Sequence, residues 1–163
     1  MQYARKRSVS DYSRHIAAAP EAVFPLLCPV REVEWIEGWR AETLHSASGV
    51  AELDAVFTTA PLSDVGPEVW VCSRHEPPRR VDYVRVGRHT VIRLQLTLEP
   101  AGQGTALTAL FVVSALTAEG DAIVSAMGQS PCAMWFTPCF RMLDHFLRTG
   151  TMLPQAQALA GQA

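Results

Sequence analysis

The densest grouping of chemistry-bearing side chains lies in residues 28–39, where Cys28, Arg31, Glu32, Glu34, Trp35 and Trp39 fall close together. A carboxyl group beside two indoles suits the rim of a cavity. The indoles, Trp35 and Trp39, supply apolar surface, and Glu32 supplies a polar handle. The same residues also suit a plug, with the tryptophans in a core and Glu32 paired to Arg31 or another arginine. A second grouping is Trp70, Tyr83 and Arg85. If Val81 and Tyr83 face inward, the two-residue period of a strand puts Arg85 on the same side. An inward guanidinium needs a carboxylate partner or an anionic ligand group. With the face reversed, Val84 and Val86 point in and Arg85 points to water.

His45, His75, His89 and His145 could supply acid–base chemistry. His45 shares a period-two face with Trp39, Ala41 and Thr43, which makes it the candidate polar group inside a cavity. No histidine has partners at triad or metal-ligand spacing, and HxH, HxxxH and HExxH are absent. GxSxG, P-loop and GxGxxG patterns are absent as well. No catalytic set, metal or cofactor is therefore assigned. The remaining candidates for a ligand-binding wall are aromatic: Phe57, Trp70 and Phe111 on strands, and Trp135, Phe136 and Phe140 on a C-terminal helix.

The elements that must hold these side chains are legible in the periodicity. Residues 9–17 read as a strand. Pro20 suits the start of a short apolar helix through Leu27, with Glu21 in its first turn. Residues 30–36 read as a second short helix, stopped by Gly38. Strand-length runs follow at 39–47, 51–59, 68–76, 80–86, 90–99 and 105–116, separated by turn residues, among them those at 61–67 and at Pro77 and Pro78. Residues 90–99 alternate cleanly, with Ile92, Leu94, Leu96 and Leu98 on one face, as in an antiparallel sheet with one wet side. Leu53, Ala55 and Phe57 alternate in the same way. After Leu116 the period becomes helical. Thr117 suits an N-cap, and Ser130 with Pro131 suits a second start. Cys132, Trp135, Cys139, Met142 and Phe146 make a helical stripe, and Phe136, Phe140, Leu143 and Leu147 make another beside it. Pro138 is expected to kink this helix, because its ring clashes with the Met134 carbonyl. Gly150 ends it. A run of strands followed by a long helix predicts an α+β fold, a curved antiparallel sheet of about seven strands wrapped around that helix.

The composition narrows the partners. The chain has 163 residues, 48% hydrophobic and 18% charged, with a formal net charge of −2. That charged fraction lies below the usual ~25%, so apolar surface is in surplus and must be covered. Thirteen of the fourteen basic residues are arginines, but they are scattered, and nucleic-acid binding by bulk charge is not expected. Residues 122–140 carry no charge, yet Gly128, Gln129, Ser130, Pro131, Thr137 and Pro138 make them too polar and too broken for a membrane span. Burial inside the protein is the first reading of that stretch and a homodimer interface the second. Residues 8–14 supply no apolar run for a signal peptide. The four dispersed cysteines read as reduced, small hydrophobes, which implies a cytoplasmic setting. One domain over residues 9–153 is expected, with flexible ends at 1–8 and 154–163.

Ile16 followed by Ala17, Ala18, Ala19, Pro20, Glu21, Ala22, Val23 and Phe24, then Trp35 to Trp39, Glu76 to Val81 and His145 to Gly150, together resemble the SRPBCC superfamily. That is the helix-grip fold of START lipid-transfer domains, birch-pollen-allergen-like proteins and polyketide cyclases. The likeness is greatest to small bacterial START-like proteins of the polyketide cyclase/dehydrase kind. The resemblance implies an apolar tunnel between sheet and C-terminal helix, and it implies no single reaction. The function expected first is binding of a mostly apolar small molecule, a lipid, polyketide or aromatic metabolite, in a space above about 300 Å³. Two alternatives stand beside it. One is a cyclase or dehydratase-like enzyme in which at least two of His45, Glu32 and Arg85 converge. The other is an interaction module like the Hsp90-activator branch of the superfamily, which needs an exposed docking face.

Overall fold

The period-two runs become seven strands: β1 (Arg7–Ile16), β2 (Ala41–His45), β3 (Val56–Thr59), β4 (Glu68–Glu76), β5 (Arg80–Val86), β6 (Thr90–Ala101) and β7 (Gly104–Ala115). The structure is a computed structural model and describes residues 4–59 and 68–160. The turn expected at 61–67 lies outside the described residues. All neighbouring strands pair antiparallel, in the order β1-β7-β6-β5-β4-β3-β2. Along β6 the alternation decides the faces, with Ile92, Leu94, Leu96 and Leu98 buried and Arg93 exposed. On the other face of β5, Arg80 donates to both carboxylate oxygens of Asp82 and to Gln95 Oε1.

Between β1 and β2 the chain forms one α-helical turn, α1 (Pro20–Val23), which continues as a 3-10 turn at Phe24–Leu27. Pro25 stands near the start of that turn, where a missing N–H costs little. The second expected helix is a single 3-10 turn, Glu32–Glu34. Strand β3 begins later than the alternation suggested. Asp54 has a positive φ of 65°, so extended structure cannot run through it, and Leu53 is exposed rather than alternating into the core.

Past the sheet come α2 (Ala118–Ala126), α3 (Pro131–Thr149) and α4 (Gln155–Leu159). Thr117 caps α2, its Oγ1 accepting from Gly120 N–H at 3.1 Å. The start of α3 is where Pro131 put it, but Ser130 makes no cap bond. Ser10 Oγ on β1 accepts from Cys132 N–H instead, at 3.1 Å, so the sheet itself caps the helix. Helix α3 runs unbroken through Pro138 and ends at Gly150, whose φ of 70° suits a residue without Cβ. It lies against β1 and β7. Tyr12 and Phe140 are 5.7 Å apart between ring centroids, and Phe111 and Phe136 5.9 Å in a T-shape.

Residues near both limits of the described chain make defined contacts. Asp121 accepts from Lys6 N–H and from Arg5 Nη1, which ties residues ahead of β1 to α2. Helix α4 packs on α3: Ala158 is fully buried, and its carbonyl accepts from Arg141 Nη1 at 2.8 Å. Among the described residues no helix is long and apolar enough to cross a membrane.

Candidate functional site

A cavity of about 100 Å³ lies between the sheet and α3. One wall is the segment after α1, with Leu27, Glu32, Trp35, Ile36 and Trp39. The floor is the sheet, with Trp70, Tyr83, Arg85, Leu94, Leu96 and Phe111. The roof is α3, with Trp135, Phe136, Cys139 and Phe140. Trp135 is 39% exposed, so it stands at an opening rather than in the core.

Ten of the twelve residues singled out in the sequence therefore border one space: Glu32, Trp35, Trp39, Trp70, Tyr83, Arg85, Phe111, Trp135, Phe136 and Phe140. Phe57 does not. It is fully buried in β3 opposite Trp70. His45 does not either, and its placement corrects the period-two reading. The pairing of β2 with β3 slips between Thr43 and His45. One extra residue in a strand turns the following side chains to the other face, and His45 is exposed. Residues not singled out are Leu27, Pro29, Ile36, Leu94, Leu96 and Cys139. Leu94 and Leu96 stood on the apolar face of β6, and Cys139 follows Trp135 by four residues on α3, one helical turn. Those two spacings were the signals available.

The polar inventory of the cavity is small, because most of its polar atoms are already bonded elsewhere. Trp35 Nε1 donates to Leu26 O at 3.0 Å, and Trp39 Nε1 to Pro29 O at 2.8 Å. Trp70 Nε1 donates to Thr59 Oγ1 at 2.9 Å, and Tyr83 Oη to Leu27 O at 2.9 Å. These rings thus offer the cavity their carbon surfaces. The inward arrangement of Arg85 holds, and its partner is a carboxylate. Nη1 lies 3.2 Å from Glu68 Oε2, and each side chain is 15% exposed. The contact is one of charge rather than an aligned hydrogen bond, since Glu68 Oε2 has no hydrogen-bond donor in line. The guanidinium also lies 5.5 Å from the centroid of the Trp70 ring. Burial lowers the Arg85 pKa, and Glu68 opposes that shift.

Glu32 is the exception. Arg31 does not pair with it, because Arg31 turns to Glu34, with Nη2 to Oε2 at 3.0 Å and Nε to Oε1. Glu32 has no hydrogen-bond or ion-pair partner among the described residues. The side chain keeps some accessible surface, because it borders the cavity, yet protein surrounds it so thickly that burial pushes its carboxyl up to about 8. The ionisable groups around it are Cys28, Tyr83 and Cys139. Burial raises all three, Cys139 to about 12. The four cysteines are unpaired, and with their thiols raised they act as small hydrophobes.

A partly open groove of about 260 Å³ lies on the other side of Tyr83, lined by Phe24, Pro25, Cys28, Arg31, His75 and Val81 among others. Burial lowers the pKa of His75, and its ring stacks edge-on with Phe24 at 5.3 Å. Neither space reaches the ~300 Å³ expected for an apolar guest, whether lipid, polyketide or aromatic metabolite, so any guest is smaller than expected. The deep tunnel expected from the resemblance is here largely filled by aromatic side chains. Among the described residues no three His, Cys, Asp or Glu side chains form a group that could hold a metal ion.

The open seven-stranded antiparallel sheet closed by a long C-terminal helix is the helix-grip fold, and solved structures share it. The chain is similar to a norcoclaurine synthase point mutant from Thalictrum flavum in complex with a transition-state analogue, with a TM-score of 0.68 and 8% identity over 91% of this chain and 99% of that one. It is similar to protein MLL2253 from Mesorhizobium loti, with a TM-score of 0.64 and 18% identity over 87% and 98%. It is also similar to Ara h 8.0201, with a TM-score of 0.61 and 13% identity over 88% and 99%. Identities this low establish the fold alone. No family model matches the chain, and no curated protein matches it.

Proposed function

We propose that the protein binds a mostly apolar small molecule about one ring in size between the sheet and α3. The carrying observation is the cavity itself, an aromatic-walled space in which nearly every polar atom is bonded to protein. Its volume of about 100 Å³ restricts the guest. An apolar cavity of ~150 Å³ takes up benzene, so at about 100 Å³ a single ring is the upper limit and extends into the opening at Trp135. A lipid or an extended polyketide is too large. That leaves the aromatic metabolite from the three ligand classes considered. The SRPBCC resemblance supports the reading, since enclosing a guest under the gripping helix is what that fold does in its ligand-binding members.

The test is ligand-observed NMR with single-ring compounds and with medium-chain fatty acids, on the wild-type protein and on Leu96→Trp, which fills the floor. Binding of ring compounds that disappears in the filled variant supports the proposal. Absence of ring binding to the wild-type protein, or equal binding to the filled variant, overturns it.

An enzyme of the cyclase or dehydratase kind is the second reading. Its specific support is that two of the three side chains required, Glu32 and Arg85, border one cavity. A carboxyl group raised to about 8 still carries its proton at neutral pH and can donate it. The small volume counts against a polyketide-sized substrate. Turnover of a bound guest that Glu32→Gln abolishes without loss of binding would favour this reading over simple binding.

A further inference from the structure

We propose that the guest of this cavity is a small aromatic amine bound as its ammonium ion, with ionised Glu32 as counter-ion and the aromatic walls as its cage. The inference rests on the ligand-binding reading above and names its chemical class.

Glu32 borders the cavity with no partner among the described residues, and the protein around it raises its carboxyl pKa. Leaving such a group unpaired against an apolar wall is costly, and a cationic guest would remove that cost. The surroundings show which charge would satisfy it. Trp35 and Trp39 follow Glu32 in sequence and border the same cavity, Tyr83 joins them from β5, and Trp135, Phe136 and Phe140 roof the space. The ring faces of such residues carry negative potential, which attracts cations and repels anions. Because the Trp35, Trp39 and Tyr83 polar hydrogens are already donated to backbone carbonyls, the walls offer an anion few donors. Among the described residues Arg85 is the only cation bordering the cavity, and it already has Glu68. An ammonium group therefore finds an unused counter-ion, whereas a carboxylate must compete with an existing one.

The pairing has a pH signature. In the empty cavity Glu32 holds its proton up to about pH 8, so an ammonium guest must displace it. Affinity for the amine then rises about tenfold per pH unit below 8 and levels off above. A neutral guest accepting a hydrogen bond from protonated Glu32 binds with constant affinity below about pH 8 and more weakly above it. The other groups around Glu32 do not titrate in this window. Cys28 ahead of its turn, Tyr83 on β5 and Cys139 on α3 are all raised by burial from ordinary values already above 8. Arg31 and Glu34 on its own segment pair with each other. Arg85 and Glu68 face the far end as an ion pair. His75 faces the neighbouring groove, its pKa lowered by burial.

Three near-isosteres decide the matter: benzylamine, benzyl alcohol and benzoate, titrated into the full chain by calorimetry at pH 6, 7 and 8. Benzylamine is expected to bind about tenfold or more tighter than benzyl alcohol at pH 8, to tighten as pH rises, and to release a proton on binding. Glu32→Gln is expected to abolish that preference while keeping benzyl alcohol binding. Equal affinity for amine and alcohol, preference for benzoate, or an amine affinity flat with pH overturns the inference and leaves the ligand-binding reading standing. Failure of all three compounds to bind overturns both. Should the Gln variant not fold, the pH series on the wild-type protein decides alone.

Discussion

Glu32 carries a cost in stability that depends on pH in a calculable direction. An ordinary Glu ionises near 4.5, whereas Glu32 in the folded protein holds its proton to about 8. Below both values the group is neutral in either state and contributes nothing. Between them the unfolded chain ionises and the folded one does not, so stability falls as pH rises. Above about 8 the loss is complete. Replacing Glu32 by Gln is expected to leave the melting temperature nearly unchanged at pH 4 and to raise it at pH 9, which calorimetric scans across that range would show. Arg85 and Glu68 behave differently, because each neutralises the other. Removing one charge, as in Glu68→Gln, leaves a guanidinium stranded in a mostly buried place. A cost of about 1–3 kcal/mol in urea unfolding is expected, and the Arg85→Met, Glu68→Met double variant should recover most of it. At this scale the sequence was informative about residue type and silent about partners. Arg85 facing inward followed from the period of β5. That Arg31 would choose Glu34 over Glu32 depends on the path of a 3-10 turn, which no spacing rule encodes.

The elements were more legible where a long periodic run dominated and less where one residue broke the period. β6 and α3 emerged with nearly the observed limits, because alternation and the helical stripe persist over many residues. β2 and β3 are short and interrupted, one by the slip before His45 and the other by the left-handed Asp54. Those interruptions moved His45 out of the candidate site. The capping of α3 by Ser10 was also out of reach, since the two residues meet only through the sheet. Close packing between elements gives two further expectations. Gly104 at the start of β7 lies against the Ile16 carbonyl and the His15 ring, and Gly120 in α2 lies against the His89 carbonyl. A Cβ at either position meets backbone, which cannot swing aside. Ala at either site is expected to cost about 1–3 kcal/mol in chemical denaturation. On α3, Leu143 is fully buried and Met134 is exposed. Leu143→Ala should cost about 2–5 kcal/mol, whereas Met134→Ala should stay within about 0.5 kcal/mol.

At the scale of the whole molecule, the apolar surplus in the composition is resolved into an interior. The uncharged stretch at 122–140 supplies the end of α2 and the roof of the cavity. The interior is packed closely enough that the space left beneath α3 is about 100 Å³. The sheet order explains why the two ends of the chain matter to that interior. Every strand from β2 to β7 lies beside its neighbour in sequence, but β1 pairs only with β7, Arg7 standing opposite Ser114 and Ile16 opposite Thr105. β1 also supplies Ser10 and Tyr12 to α3. Deleting residues 1–16 is expected to abolish cooperative thermal unfolding followed by circular dichroism, because it strips both the edge of the sheet and the seat of the helix. The same order bears on how the chain is made. Among the described strands β1 leaves the ribosome first, yet its partner β7 is synthesised about ninety residues later. At ~5–20 residues per second the strand waits for seconds with its hydrogen-bonding edge unsatisfied. The hairpins from β2 onward can assemble meanwhile, so closure of the protein is a late event, and nascent chains stalled before β7 should be the ones a chaperone holds.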